Sequence, residues 1–128
     1  MSHYTLPGGN RPFTFGSHSY SHPYLYGRKA GFANDSEYNL FLDYELGESK
    51  KLIEIHTSQA VTILALPFGD GAGDPDIIAA ADRNGYKFIR TSIYGAIKNP
   101  LIDLYSIPSL PILSDTNSDE IGYYLSNK

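Results

Sequence analysis

The residues best suited to chemistry lie together in Gly16-Ser17-His18-Ser19-Tyr20-Ser21-His22-Pro23, where two of the four histidines of the chain sit four apart among hydroxyl side chains. Imidazole is a common zinc ligand, and an i, i+4 pair on one helical turn directs both rings the same way. Pro23 disfavours the helical region for His22, so such a turn is expected to end at the second histidine. The residues then form a short platform offering two nitrogens. The same spacing also fits a polar surface loop rich in His, Tyr and Ser.

Downstream segments extend the pattern. Glu45-Leu46-Gly47-Glu48-Ser49-Lys50-Lys51-Leu52-Ile53-Glu54 reads as a helix. Leu64-Ala65-Leu66-Pro67-Phe68-Gly69-Asp70 is a strand running into a Pro-aromatic-Gly turn. A helix beginning near Ile77-Ile78-Ala79-Ala80-Ala81 leads to Asn84-Gly85-Tyr86-Lys87, and Leu104-Tyr105-Ser106-Ile107-Pro108-Ser109-Leu110-Pro111-Ile112 follows. In this order, over about residues 15–125, these segments resemble the NodB-homology polysaccharide deacetylases (carbohydrate esterase family 4). The histidine segment is similar to that family's His-Ser/Thr-x-x-His pair followed by Pro.

The resemblance implies metal-dependent hydrolysis of N-acetyl groups, a non-peptide C–N bond, on amino-sugar polymers. His18 and His22 would be metal ligands for Zn2+ or another divalent transition metal. Tyr20, Tyr24, Pro67 and Phe68 would border an N-acetylated polysaccharide or oligosaccharide. In the family a divalent ion polarises the acetamide carbonyl, an aspartate acts as base and a late histidine protonates the leaving amine.

Several parts of that pattern are absent. No Asp or Glu precedes His18, so the early Asp-Asp motif has no counterpart, and no histidine follows His56. Ala65 stands where many members carry an arginine. Among nearby carboxylates, Asp70 is the one considered for a catalytic or ligand role, although a Gly-Asp-Gly turn explains it equally well. Asp74 reads as a helix N-cap, Asp76 as a first-turn charge, Asp35 as a cap candidate and His56 as a helix C-terminal cap. His3 falls in an expected N-terminal arm. Two readings stay open: an incomplete deacetylase domain, or a catalytically inactive shortened homologue that binds metal or glycan, or dimerises.

The elements positioning these residues are expected to alternate. Residues 1–12 read as an arm with turn chemistry at Pro7-Gly8-Gly9-Asn10, and 13–128 as the deacetylase-like domain. Phe13-Thr14-Phe15 is a strand-like run. A helix is expected over about 36–55, with Gly47 its weak point, then a buried strand over 60–66. Asp74-Pro75 should open a second helix and Gly85 close it. A strand over 86–92 and a terminal helix over 118–125 complete the reading. Strands alternating with helices define an α/β class with a parallel sheet. The resemblance narrows this to a partial or open (β/α) barrel, since a closed eight-unit barrel needs about 200 residues or more. An open edge would favour a homo-oligomer or a partner supplying the missing segment.

Composition sets further bounds. The 128 residues are 41% hydrophobic and 19% charged, as in one globular domain. A formal charge of −4 gives no basic footprint for nucleic acid. Without cysteine there are no disulfides, thiolate ligands or thiol nucleophile. Residues 1–9 show neither a basic region nor an apolar core, so no signal peptide is read there, whereas the family is mostly exported or envelope-associated. The longest apolar run, 60–66, is too short to span a bilayer. Gly69-Asp70-Gly71-Ala72-Gly73 lacks the ending of a phosphate loop, and no Gly-x-Ser-x-Gly elbow occurs. Eleven tyrosines and no tryptophan give an unusual aromatic set. Most should pack with their hydroxyls in water, leaving Tyr20 and Tyr24 open for sugar stacking.

Overall fold

The computed structural model describes Gly9 and residues 13–126; the expected arm, its turn and His3 lie otherwise outside the described residues. Helix α1 spans Asp35–Thr57, strand β1 Ile63–Ala65, helix α2 Pro75–Arg83, strand β2 Phe88–Tyr94, strand β3 Ile107–Ser109 and helix α3 Ser118–Ser126. Short 3-10 turns occupy Lys29–Gly31 and Pro67–Gly69. No described helix is long and apolar enough to cross a membrane.

The sheet is parallel, in the order β1-β2-β3. Ile63, Leu64 and Ala65 pair with Phe88, Ile89 and Arg90. On the other edge of β1, Ser17 forms a single parallel bridge to Leu64. The strand-like run expected at 13–15 is therefore not a strand; one residue beyond it makes the pairing. The sheet alternates with helices and does not close, the arrangement expected of a partial α/β barrel.

Local chemistry explains the helix boundaries. Asn34 caps α1 by accepting from Glu37 N at 3.0 Å, in preference to its neighbour Asp35. Ser58, in the left-handed region, ends the helix by donating its N–H to Glu54 O. His56 lies in the last turn with its residue exposed, so it is not the C-cap. Asp74 accepts from Asp76 N and Ile77 N, each at 3.1 Å, with Pro75 as first helical residue, as its sequence predicts. Asn84 is the C-cap of α2, and Gly85 at φ 77° turns the chain toward β2.

Tyr38, Leu42, Glu45, Leu46 and Ser49 recur at helical spacing and form the buried face of α1. With Ile77, Ala80 and Ala81 of α2 they cover one face of the sheet, presented by Leu64, Ile89 and Thr91. Most described tyrosines are exposed, as expected, but two are core residues: Tyr38 donates to Leu25 O at 3.2 Å and Tyr86 to Leu46 O at 2.8 Å. Burial is possible because each hydroxyl finds a backbone acceptor. Lys50 donates to Val61 O, and Val61 N donates to Glu54 Oε1 at 2.8 Å, tying the entry of β1 to α1.

Candidate two-histidine site

Pairing with β1 sets the site. Ser17 N donates to Ile63 O and Ala65 N to Ser17 O, both at 2.8 Å. Ser17 faces the core, its Oγ 2.8 Å from Ser49 Oγ on α1. Strand alternation then turns His18 to the opposite, open face. There its Nδ1 lies 2.8 Å from Ala65 O, at the C-terminal end of β1.

Beyond His18 the chain does not form the helical turn its spacing suggests. Ser19 (φ 68°) and His22 (φ 58°) both adopt left-handed backbone. Ser19 Oγ accepts from His22 N at 3.1 Å, while Glu45 Oε2 accepts from Tyr20 N at 3.0 Å and Ser21 N at 2.8 Å. These side-chain acceptors satisfy the donors that a helix would satisfy with backbone carbonyls. Pro23 supplies the remaining reason, since it disfavours right-handed helix at His22.

The loop nevertheless brings the rings together. His18 Nε2 and His22 Nε2 lie 3.0 Å apart, with ring centroids at 4.6 Å and planes at 67°. A carbonyl only accepts, so His18 carries its proton on Nδ1 and a neutral ring offers the Nε2 lone pair to its neighbour. Two nitrogens bound tetrahedrally at about 2.0–2.1 Å from zinc lie about 3.3 Å apart, near the observed separation. That spacing would suit two ligands of one divalent ion, with the Ala65 carbonyl placed as an outer partner of His18. Among the described residues, no group of three His, Cys, Asp or Glu could hold a metal.

An aromatic ledge borders the histidines. Pro67 is buried and ends β1, and Phe68 follows in the left-handed region at φ 57°, ψ 5°. Its ring stacks on Tyr24 at 4.2 Å and 13° and meets His22 edge-on at 4.6 Å. Gly69 (φ 70°) must be glycine, since a Cβ there would come 2.6 Å from Ser92 Cβ. Tyr20 lies apart from this stack and packs edge-on against Tyr44 at 5.2 Å.

The carboxylates after the ledge hold structure. Asp70 Oδ2 accepts from Gly27 N at 2.9 Å, bracing the loop that follows Tyr24. Asp74 caps α2, and Asp76 pairs with Lys29. Sequence reasoning missed two contributors: the carbonyl of Ala65, which no side-chain pattern reveals, and Glu45. A signal for Glu45 exists, because it lies on the apolar stripe of α1, between Leu42 and Ser49.

No family profile matches the chain, and no curated protein matches it. Solved structures do. The deacetylase PplD of Streptococcus pyogenes, solved in complex with acetate, superposes with a TM-score of 0.71 at 21% identity, over 88% of this chain and 45% of that one. A de-N-acetylase from Aggregatibacter actinomycetemcomitans gives 0.68 at 19%, over 91% and 48%. BA0330 of Bacillus anthracis, assigned to the polysaccharide deacetylases, gives 0.66 at 23%, over 89% and 32%. The fold is thus that of the polysaccharide deacetylases, in part. The chain spans less than half the length of each of these proteins.

Proposed function

We propose that this chain forms the two-histidine part of a metal-dependent N-deacetylase acting on an acetylated amino-sugar polymer, and that alone it is catalytically incomplete. The observation carrying this reading is the 3.0 Å approach of His18 Nε2 and His22 Nε2, with His18 Nδ1 held by Ala65 O. His18 and His22 would hold the ion, Zn2+ or another divalent transition metal, which when bound supplies Lewis acidity at an acetamide carbonyl. Phe68 and Tyr24 offer a flat, half-exposed surface beside the imidazoles, suited to a sugar face, and Pro67 fixes its height. Tyr20 extends the apolar surface on the Tyr44 side. Asp70 is the carboxylate nearest in sequence to the ledge, and its bond to Gly27 favours a bracing role over that of a base.

Two ligands fall short of the three protein ligands usual in catalytic zinc sites, so affinity should be weak. Loss of a positioned base alone costs about 10²–10⁴ in rate. Calorimetric titration with Zn2+ should therefore show weak binding that drops in His18→Ala and in His22→Ala. An amine-release assay on chito-oligosaccharides should show little or no turnover. Binding unchanged in both variants would reject the ligand assignment. Robust histidine-dependent turnover would mean that Asp70 or a partner subunit supplies the carboxylate, and Asp70→Asn with a measurement of oligomeric state would distinguish them.

A further inference from the structure

We infer that Glu45 is the positioning residue of the histidine pair: its carboxylate fixes the backbone between His18 and His22 and thereby the separation of their Nε2 atoms. The inference rests on the metal reading above. Glu45 sits in the middle of α1 and is only 3% exposed. A buried carboxylate is costly unless its lone pairs are filled. Among the described residues, the bonds filling them come from Tyr20 and Ser21, between the histidines. Oε2 accepts from Tyr20 N (3.0 Å) and Ser21 N (2.8 Å), and Oε1 accepts from Ser21 Oγ at 2.6 Å.

This arrangement explains how the loop persists. Ser19 and His22 are both left-handed, a conformation disfavoured for residues with a Cβ and kept only where the surroundings over-determine it. Glu45 ties the two residues between them to a rigid helix. Ser49, one turn further along α1, holds Ser17 Oγ just before His18. One helical face therefore grips the chain before the first imidazole and again before the second. Released from Glu45, the N–H groups of Tyr20 and Ser21 could be satisfied by water, and the edge contact of Tyr44 with Tyr20 would be left to tie the segment between the histidines to α1.

The bonding pattern also separates geometry from charge. In Glu45→Gln the amide oxygen can accept both N–H groups, while its NH2 donates to Ser21 Oγ, which turns from donor to acceptor. Glu45→Asp keeps the charge but is one methylene too short to reach the same groups. Glu45→Ala removes every bond. Loss of an outer partner bonded to a metal ligand weakens affinity about 10–100-fold, and Glu45, which acts on the ligands through the backbone, should show the lower end of that range.

The test is calorimetric titration of the full chain with Zn2+ and Co2+, with thermal melts to establish that each variant is folded. Glu45→Ala and Glu45→Asp should bind about tenfold or more weakly, and Glu45→Gln within about threefold of wild type. The visible bands of the Co2+ form should change in the Asp variant and persist in the Gln variant. Should Glu45→Ala fail to fold, the Asp and Gln variants decide. Wild-type affinity in a folded Asp or Ala variant overturns the inference, as does a Gln variant as weak as the Asp one. A wild-type chain that binds neither ion, or whose affinity is unchanged in both His18→Ala and His22→Ala, instead rejects the metal reading and this inference with it.

Discussion

His18 and Ala65, 47 residues apart, meet through an Nδ1 to carbonyl hydrogen bond of 2.8 Å. The contact joins the segment after Ser17 to the end of β1 and fixes which ring nitrogen carries the proton. A heteronuclear NMR experiment reporting imidazole tautomers should find His18 protonated at Nδ1, its Nε2 unprotonated when the ring is neutral. A dominant Nε2-protonated neutral form would contradict the bond, since Nδ1 would then face the carbonyl as a second acceptor.

Gly47 tests how tightly α1 and α2 pack. In an exposed helix interior, Gly→Ala stabilises by about 1 kcal/mol. At Gly47 an added Cβ would sit 2.7 Å from Asn84 Oδ1. That amide cannot swing aside freely, because its Nδ2 donates to Asp43 Oδ1 (3.0 Å) and Ala80 O (2.8 Å). Gly47→Ala should therefore lower stability by about 1 kcal/mol. Gly122→Ala in α3, where a Cβ meets nothing within 4 Å, should raise it by about 0.5–1 kcal/mol. Denaturant unfolding of the two variants checks the opposite signs.

These contrasts show what the sequence made legible. The ends of α2 were readable because their chemistry is local, Asp74-Pro75 opening it and Gly85 following its end, whereas the caps of α1 fall on Asn34 and Ser58 rather than on Asp35 and His56. Helix α1 was expected over about 36–55 and spans Asp35–Thr57. But Leu40, Tyr44, Leu52 and Ile55, whose spacing suggested it, are exposed, and the buried face is Tyr38, Leu42, Glu45, Leu46 and Ser49. Gly47, the expected weak point, lies within an unbroken helix. The histidine loop was not readable. An i, i+4 spacing suits a helical turn, and only tertiary acceptors on Glu45 make a left-handed alternative available. Strand β3 gave no periodic signal, being three residues with Pro108 at its centre, and it exists because β2 offers an edge. Strand limits drifted for the same reason: 60–66 and 86–92 were expected, but pairing confines them to Ile63–Ala65 and Phe88–Tyr94.

The two core tyrosines predict sensitivity to alkali. Burial pushes the Tyr86 hydroxyl up to about 12, opposed in part by a hydrogen bond with Ser17. Burial likewise raises Tyr38, assisted by the charges of Asp74, Asp76 and Asp70. In the unfolded chain both ionise near 10. Between about pH 10 and 12 the unfolded state thus binds fewer protons than the folded one, so stability falls as pH rises. The contribution is intact below pH 10. Equilibrium unfolding from pH 8 to 12 should show this decline, and Tyr86→Phe should reduce its slope. An unchanged slope in that variant would place the alkaline transition elsewhere.

Phe68 carries a backbone strain that ring contacts, rather than burial, offset. At φ 57° and ψ 5° a bulky L-residue loses about 1–2 kcal/mol relative to right-handed backbone. Its side chain is not buried in compensation, since the residue is 55% exposed. The stack on Tyr24 and the edge contact with His22 return about 0.5–1.5 kcal/mol each. Phe68→Gly removes strain and ring contacts together, so its net effect on stability should stay within about 1 kcal/mol. Its effect on ligand should be one-sided, because glycine offers no face to a sugar. Chemical-shift titration with a chito-oligosaccharide should show affinity about two- to tenfold weaker in Phe68→Gly, the equivalent of one lost aromatic contact. Tyr24→Ala should weaken binding further by exposing the back of the Phe68 ring. Equal affinity in wild type and both variants would remove the ledge from the substrate surface and leave the left-handed Phe68 without a role in binding.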